Sequence, residues 1–472
     1  MTERAYDAVV VGAGPNGLSA AITLARAGKS VLVLEGADRP GGGCRTSELT
    51  LPGFRHDVCS TIQSMVSSSP FLAGLPLAQL GYEEVIPPIP LAHALDGGRA
   101  VAMLRSVDGT ASGLRRDGAS YRRLVGPLAR RGKALFAEFL GPLRPPRHPL
   151  AMGLFGMRAV WPATILARTV FRTEEARALF AGVSAHSIQP LTNPLTAAFG
   201  LMLALSVHAS GWPVARGGSE AMTAALVRHL ESLGGEVRSD SPVTSLDDLP
   251  HATAVLLDLT PRQVLAVAGD RLSEGYRTAL GRYRYGPGVF KLDWALDAPI
   301  PWTSPTCRVA GTLHLGGPLQ EVVASEAASA LASPKPFVIL VQATIFDQTR
   351  APGGKHTAWA YCHVPNGSTE DMTGAIEAQV ERFAPGFSAR ILARHSTGPA
   401  AMEAYNPNYV GGDINGGIQD WRQLFTRPVV SAVPYATPDR GLYICSSSTP
   451  PGGGVHGMCG HWAARAALAR AF

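Results

Sequence analysis

Tyr6-Asp7-Ala8-Val9-Val10-Val11 runs into Gly12-Ala13-Gly14-Pro15-Asn16-Gly17, and a second apolar stretch, 30–34, stops at Glu35. An apolar run, a glycine-rich turn, a helix-forming stretch and another apolar run together make a βαβ unit. Gly12 permits the tight turn, Gly14 lets backbone approach a pyrophosphate, and Gly17 lets the helix pack closely on the strand. The helix that starts at Pro15 offers unpaired N–H groups and a partial positive charge to phosphates. Glu35 stands eighteen residues beyond Gly17, where a carboxylate accepts hydrogen bonds from ribose hydroxyls. Its charge would repel a 2′-phosphate, so NADP is not expected in this site.

A second glycine-rich turn follows the acidic strand end: Arg39-Pro40-Gly41-Gly42-Gly43-Cys44-Arg45-Thr46. It brings further backbone N–H groups, and Arg45, toward the same diphosphate; a plain NAD domain has no need of it. Near the other end stands Gly441-Leu442-Tyr443-Ile444-Cys445-Ser446-Ser447-Ser448-Thr449-Pro450-Pro451-Gly452-Gly453-Gly454-Val455-His456-Gly457-Met458. Between them, Ala215-Arg216-Gly217-Gly218-Ser219 leads through a helix-like stretch to Gly234-Gly235-Glu236-Val237 and Pro242-Val243.

These three anchors resemble the motifs of the FAD-dependent amine oxidase superfamily, in its phytoene desaturase-like (carotenoid and retinoid oxidoreductase) branch. The resemblance spans essentially the whole chain. Cys44 and Cys445-Ser446 depart from the commoner residues, without removing a group the flavin requires. The resemblance implies FAD, held noncovalently by Gly12, Gly14, Pro15, Asn16, Gly17, Glu35, Gly36, Gly42, Gly43, Cys44, Arg45 and Thr46. Val243 would lie against the adenine, and Gly453, Gly454, Val455, His456, Gly457 and Met458 would border the flavin ring. The helix after Gly457 would aim its N–H groups at the charge that gathers near flavin N1 and the C2 carbonyl on reduction.

The chain has 472 residues, enough for two or three domains. Its 46% hydrophobic content suits large cores, and its 52 glycines and 37 prolines form no low-complexity tract. The expected class is α/β: a discontinuous Rossmann-like FAD-binding domain, an inserted α+β substrate domain and a helical subregion. The FAD-binding parts are expected at residues 1–75, 211–282 and 416–472. A mostly helical region, facing substrate or membrane, is placed at 76–210, and a substrate domain with an antiparallel sheet at 283–415. Residues 195–207 read as a buried helix. No apolar run reaches the ~18 residues of a spanning helix. Residues 1–4 lead straight into a strand without signal-peptide character. The six cysteines form no C-x-x-C pair, which suits reduced thiols and a cytoplasmic protein.

No acid–base constellation stands out, and the catalytic side chains stay unassigned. His456 is the one weak candidate, against a structural role in its glycine-rich loop. His56 and Asp57 fall after the second glycine turn, where they could line the cofactor cleft. The polar loop 406–417 either borders the flavin's reactive face or merely connects. Cys362-His363 and Cys459-x-His461 lack zinc spacing, so no metal is expected.

Three functions stay open. The first is a phytoene desaturase-like oxidoreductase that moves a hydride between a lipophilic substrate and flavin N5, by dehydrogenation, saturation or isomerisation of C–C bonds. The second is a flavin amine oxidase, which would need an aromatic cage that the C-terminal motif, with only Tyr443 and Trp462 nearby, does not offer. The third is a non-catalytic binding protein of the GDP dissociation inhibitor type.

Charge carries a second signal. Residues 113–172 hold twelve basic residues and two acidic ones, Asp117 and Glu138, in a chain whose net charge is only +6. Apolar residues lie among the arginines of 150–171. This segment suits an anionic membrane surface, which would make the protein peripheral on the membrane, or an acidic acyl carrier; it also suits a plain solvated face. No nucleic-acid motif accompanies the charge.

Overall fold

The computed structural model describes residues 5–327 and 332–472; the expectation for residues 1–4 lies outside them. The main elements in chain order begin with β1 (Tyr6–Val11), α1 (Pro15–Ala25), β2 (Val31–Leu34), β3 (Ile89–Leu95) and β4 (Arg99–Met103). Helices α2 (Pro149–Ala159), α3 (Ala163–Val170), α4 (Glu174–Ala185), α5 (Thr196–Ser210) and α6 (Glu220–Ser232) follow. Then come β5 (Glu236–Arg238), β6 (Ala252–Leu257), β7 (Gly288–Leu296), β8 (Ala310–Leu315), β9 (Val338–Val341) and β10 (His356–Val364). The last are α7 (Thr373–Phe383), β11 (Ile391–Thr397), β12 (Leu442–Ile444) and α8 (Met458–Arg470).

The fold is α/β with a parallel Rossmann-like core. A five-stranded sheet runs in the order β12-β6-β1-β2-β5, every neighbour parallel. The valine run of β1 sits at its centre and is almost wholly buried, as a parallel strand covered on both faces requires. One sheet is thus assembled from segments near residues 6–34, 236–257 and 442–444. Its register aligns Val11 with Leu34 and Leu257, and Leu257 with Ile444. Four strands therefore end at one edge, where Gly12, Glu35, Asp258 and Cys445 follow them. Ligands of open parallel sheets bind at that edge. Pro15 opens α1 at a position that needs no N–H donor. α1 packs between α6 and α8.

The second sheet has seven strands in the order β11-β7-β10-β9-β8-β3-β4. All its pairings are antiparallel except β8 with β3. Two of its strands, β3 and β4, come from the region expected to be mostly helical, so that expectation is corrected for residues 89–103. The sign was present: Asp96-Gly97-Gly98 is a hairpin turn with both glycines at positive φ (72° and 71°). From residue 107 to 210 the chain is helical as expected, and α5 is the buried helix foreseen over 195–207.

The two faces of the seven-stranded sheet differ. Phe290, Leu292 and Trp294 on β7, Ala358, Ala360 and Cys362 on β10, and Leu313 and Leu315 on β8 join a core closed by Ile376, Val380 and Phe383 of α7. Strand alternation sends the intervening residues to the opposite face. There Lys291 pairs in register with Tyr361, Asp293 with Trp359, Val289 with His363, and His314 with His93.

Candidate active site

The first glycine turn has the geometry its sequence predicts. Gly12 has φ +100°, and a Cβ on Gly17 would stand 2.0 Å from the Gly12 carbonyl oxygen. Gly14 meets the second turn directly: a Cβ on Gly42 would stand 3.0 Å from Gly14 Cα. The two turns thus form one cradle with no side chain at its closest point.

Glu35 ties that cradle together. One carboxylate oxygen accepts from the Ala13 N–H (2.8 Å), and the other from the Ala37 N–H (3.0 Å) and Arg45 Nη2 (3.1 Å). Arg45 also donates through Nε to the Arg39 carbonyl and lies over the Tyr405 ring. Arg45, expected to reach toward a diphosphate, is buried with its guanidinium against Glu35, where an arginine beside a buried carboxylate satisfies both charges. Gly36 passes Pro242, whose Cα would be 3.5 Å from a Gly36 Cβ, and Val243 lines a 260 Å³ cleft with Leu34 and Pro242. A Cβ on Gly43 would collide with Tyr409 Oη at 2.3 Å. Cys44 is fully buried, and burial raises its thiol pKa far above the ordinary value. The Thr46 hydroxyl donates to Asp57 (2.8 Å), and Asp57 pairs with Arg350 (2.6 Å). Thr46 therefore ties the second turn to the substrate domain.

The C-terminal loop closes over α1. A Cβ on Gly460 would lie 1.7 Å from the Asn16 carbonyl oxygen, and one on Gly457 would lie 2.2 Å from Ser19 Oγ. Gly457, expected to make room for a flavin ring, makes room for α1. Gly453 abuts Asn415, Gly454 has φ +127° beside Met65, Val455 packs against the main core, and Met458 is buried. His456 is fully engaged: Nε2 donates to the Gly452 carbonyl (3.2 Å), and Nδ1 accepts from the Met458 N–H (3.0 Å). Burial lowers its pKa to about 4, the Gly452 bond only partly opposing. A neutral imidazole with both nitrogens on backbone caps α8 and has no proton to trade. The weak catalytic reading of His456 is corrected to a structural one.

Loop 406–417 does more than connect. The Tyr405 hydroxyl just before it donates to the Gly42 carbonyl (2.6 Å). Asn408 accepts from the Thr260 N–H (2.8 Å) and donates to the Asp258 carbonyl (3.2 Å), while Asn415 meets Gly453. The loop thereby touches the second glycine turn through Tyr409, the residues after β6 through Asn408, and the C-terminal glycine loop through Asn415.

Several residues went unread in the sequence. Asp258 follows β6 and accepts from the Gly17 N–H (2.9 Å), with its carboxylate 3.0 Å from where a Gly14 Cβ would be. Desolvation raises its pKa to about 7; the Gly17 bond opposes, and the Glu35 charge adds to the rise. Arg427 is buried, donates to the carbonyls of Ser447 and Ser448, and directs an unpartnered Nη1 at Gly452. On the seven-stranded sheet Lys291 donates to both carboxylate oxygens of Asp293, which lies 3.5 Å from His56 Nδ1. Burial favours the neutral Asp293, but the Lys291 ammonium and the His56 imidazole together outweigh it and keep its pKa below the usual carboxylate value. His186 and His314 meet through their Nε2 atoms at 2.9 Å beside His93. Burial keeps them uncharged, lowering His186 to about 3 and His93 to about 4. The period-two alternation in Phe290-Lys291-Leu292-Asp293 and Trp359-Ala360-Tyr361-Cys362-His363 is the signal that could have found this face. Trp359 donates to Thr61 Oγ1 (2.7 Å), which ties the face to the segment after the second turn.

The cradle fits a dinucleotide. Its turns leave no Cβ at the approach, α1 presents its N-terminus, and Asn16 Oδ1 is buried there without a hydrogen-bond partner.

Residues 10–72 match the family described as NAD(P)-binding Rossmann-like domain. Over 97% of its length the chain is 27% identical to pyridine nucleotide-disulfide oxidoreductase domain-containing protein 2 of Mus musculus, covering 92% of that protein. It is 22% identical to the lycopene-forming phytoene desaturase of a Paracoccus strain, with 97% and 95% covered. Among solved structures, an oxidoreductase from Methanosarcina mazei aligns with a TM-score of 0.65 at 17% identity, over 96% of this chain and 97% of that one. A double mutant of putrescine oxidase aligns with a TM-score of 0.62 at 19% identity, over 99% of both.

Proposed function

We propose that this chain, a member of the superfamily of FAD-dependent oxidoreductases, transfers a hydride between a C–C bond of a lipophilic substrate and noncovalently bound FAD. The observation that carries the reading is the meeting of the two N-terminal glycine turns with Asp258 after β6 and with the C-terminal glycine loop at the carboxyl edge of the parallel sheet. Glu35 would hold the ribose with the acceptor capacity its loop bonds leave free. The α1 N-terminus and the turns at Gly12–Gly17 and Gly42–Gly43 would take the diphosphate, and Val243 would flank the adenine. The Gly452–Gly457 loop and α8 would border the ring. Bound FAD supplies the hydride acceptor or donor at N5; the protein's part is to orient the substrate and exclude water.

The lipophilic substrate is supported by the relative named for phytoene, which is similar over nearly the whole chain, and by the aromatic face of the seven-stranded sheet. Putrescine oxidase shares the fold, yet the aromatic pair seen here does not suit a cage for an amine. Trp359 and Tyr361 stack on each other at 5.7 Å with an interplanar angle of 11°, which leaves no gap for a substrate between them.

The test is to purify the protein, record its absorbance and precipitate it with acid. A flavin spectrum whose colour passes to the supernatant is expected. Colourless protein that takes up no added FAD would point to a binding protein instead. Colour retained in the pellet would mean a covalent link, although Cys44, His56 and Cys459 are all buried. Timing reoxidation of the reduced flavin in air, with and without a quinone, then identifies the electron acceptor.

A further inference from the structure

Helices α2 and α3 meet at a bend of 92°. Together they are apolar enough for a membrane, but each is short. The eleven residues of α2 reach about 16 Å, half a bilayer core. No single helix among the described residues is long and apolar enough to cross. The elbow displays Leu150 (86% exposed), Met157 (65%), Val160, Trp161 and Ile165, with Leu143 just before it. Six of the fourteen large apolar side chains exposed among the described residues thus fall between 143 and 165. Scattered singly they would need no account; gathered at one bend they form a patch that water disfavours. No acidic residue occurs between Glu138 and Glu174, whereas Arg147, Arg168 and Arg172 are exposed around the elbow. Trp161 donates through Nε1 to the Met157 carbonyl, which fixes its indole at the bend.

We propose that the α2–α3 elbow docks into the interfacial layer of an anionic lipid bilayer and that the lipophilic substrate enters there. The entry of substrate rests on the function proposed above; the docking does not. Exposed apolar side chains gathered at a bend, in a stretch with five arginines and no acidic residue between Glu138 and Glu174, match a layer with acyl chains below and anionic headgroups above. α2 and α3 pack on α5, and α4 packs on α5 and on β3 and β4. One helical layer therefore separates the elbow from the sheet face that carries His93 and His314. A small acidic carrier protein is the competing partner for the same charge.

Co-sedimentation of the flavin-loaded protein with vesicles tests this, with retention read as protein and fold read as flavin absorbance. Vesicles containing phosphatidylglycerol should retain it at low salt, vesicles of phosphatidylcholine alone should not, and retention should fall as salt shortens the Debye length below about 10 Å. Leu150→Ser with Met157→Ser should reduce retention about tenfold with flavin content unchanged, and Arg168→Gln with Arg172→Gln should reduce it further at low salt. Quenching of tryptophan fluorescence by brominated lipid should be lost in Trp161→Phe. Failure of anionic vesicles to retain the protein at low salt overturns the proposal, as does retention that the serine variants leave intact. Binding of an acyl carrier protein without vesicle retention overturns it in favour of the acidic carrier. A protein that binds vesicles but shows no redox activity leaves the docking standing and removes the proposed reaction.

Discussion

Asp258 is the side chain in the cradle whose charge state matters most. Its pKa, raised to about 7 from an ordinary 3.8, means that between pH 4 and 7 the folded chain keeps a proton the unfolded chain has released. Stability of the cofactor-free protein should therefore fall as pH rises through that window and level off above it. An ionised Asp258 would also face the diphosphate alongside Glu35, so FAD affinity should drop above pH 7. Asp258→Asn should flatten both profiles; titration of flavin fluorescence and thermal melts at several pH values would show it, and unchanged slopes would remove Asp258 from the linkage. Glu35→Ala should weaken FAD binding by roughly 1–3 kcal/mol, the scale of a charged hydrogen bond. It also releases the Ala13 and Ala37 N–H groups and leaves Arg45 buried without its partner, so the loss should exceed that of a residue touching ribose alone. Unaltered affinity by equilibrium dialysis would contradict the assignment.

Among the elements, α1 and α8 are the most constrained pair. Their backbones approach at Asn16 and Gly460 so closely that no Cβ fits. Gly460→Val should force the helices apart, at a cost at or above the roughly 1–3 kcal/mol typical of overpacking, since the atom it meets is backbone. The variant should lose FAD or melt well below the parent; unchanged melting and flavin content would place the last helix elsewhere. How much could be read beforehand differs by element. The βαβ unit, both glycine turns and the C-terminal loop were legible, because a turn that needs positive φ or a missing Cβ leaves glycines at fixed spacing. The β3–β4 hairpin was obscured by its flanking prolines, although Gly97-Gly98 marked it. Asp258 and Arg427 carry no local motif: each acquires its role from residues far along the chain, Gly17 for one and Gly452 for the other. The pairing of Arg45 with Glu35 was hidden for a similar reason, since it depends on how two loops fold back on one another.

At the scale of the whole molecule, the cradle is contributed by all three parts of the discontinuous sheet, so its ligand should stabilise the chain as a unit. A cofactor that binds only the folded form adds RT ln(1 + [L]/Kd), about 2.7 kcal/mol at a hundredfold excess over Kd. Differential scanning calorimetry with and without FAD should show the main transition moving upward by a few degrees. Movement of only a minor transition would mean that the cradle folds apart from the seven-stranded sheet.

The central strand of the cofactor sheet lies near the start of the sequence, and its outermost neighbour, β12, some 430 residues later. During synthesis at about 5–20 residues per second, β1 and α1 wait on the order of 20–90 s for that strand and for α8 to emerge from the ribosome. For more than half of that interval a valine-rich strand lacks the parallel neighbour contributed by β6, and throughout it a nucleotide-binding turn stands without its lid. Newborn chains should accordingly lean on holding chaperones, and cofactor capture should wait until α8 has emerged.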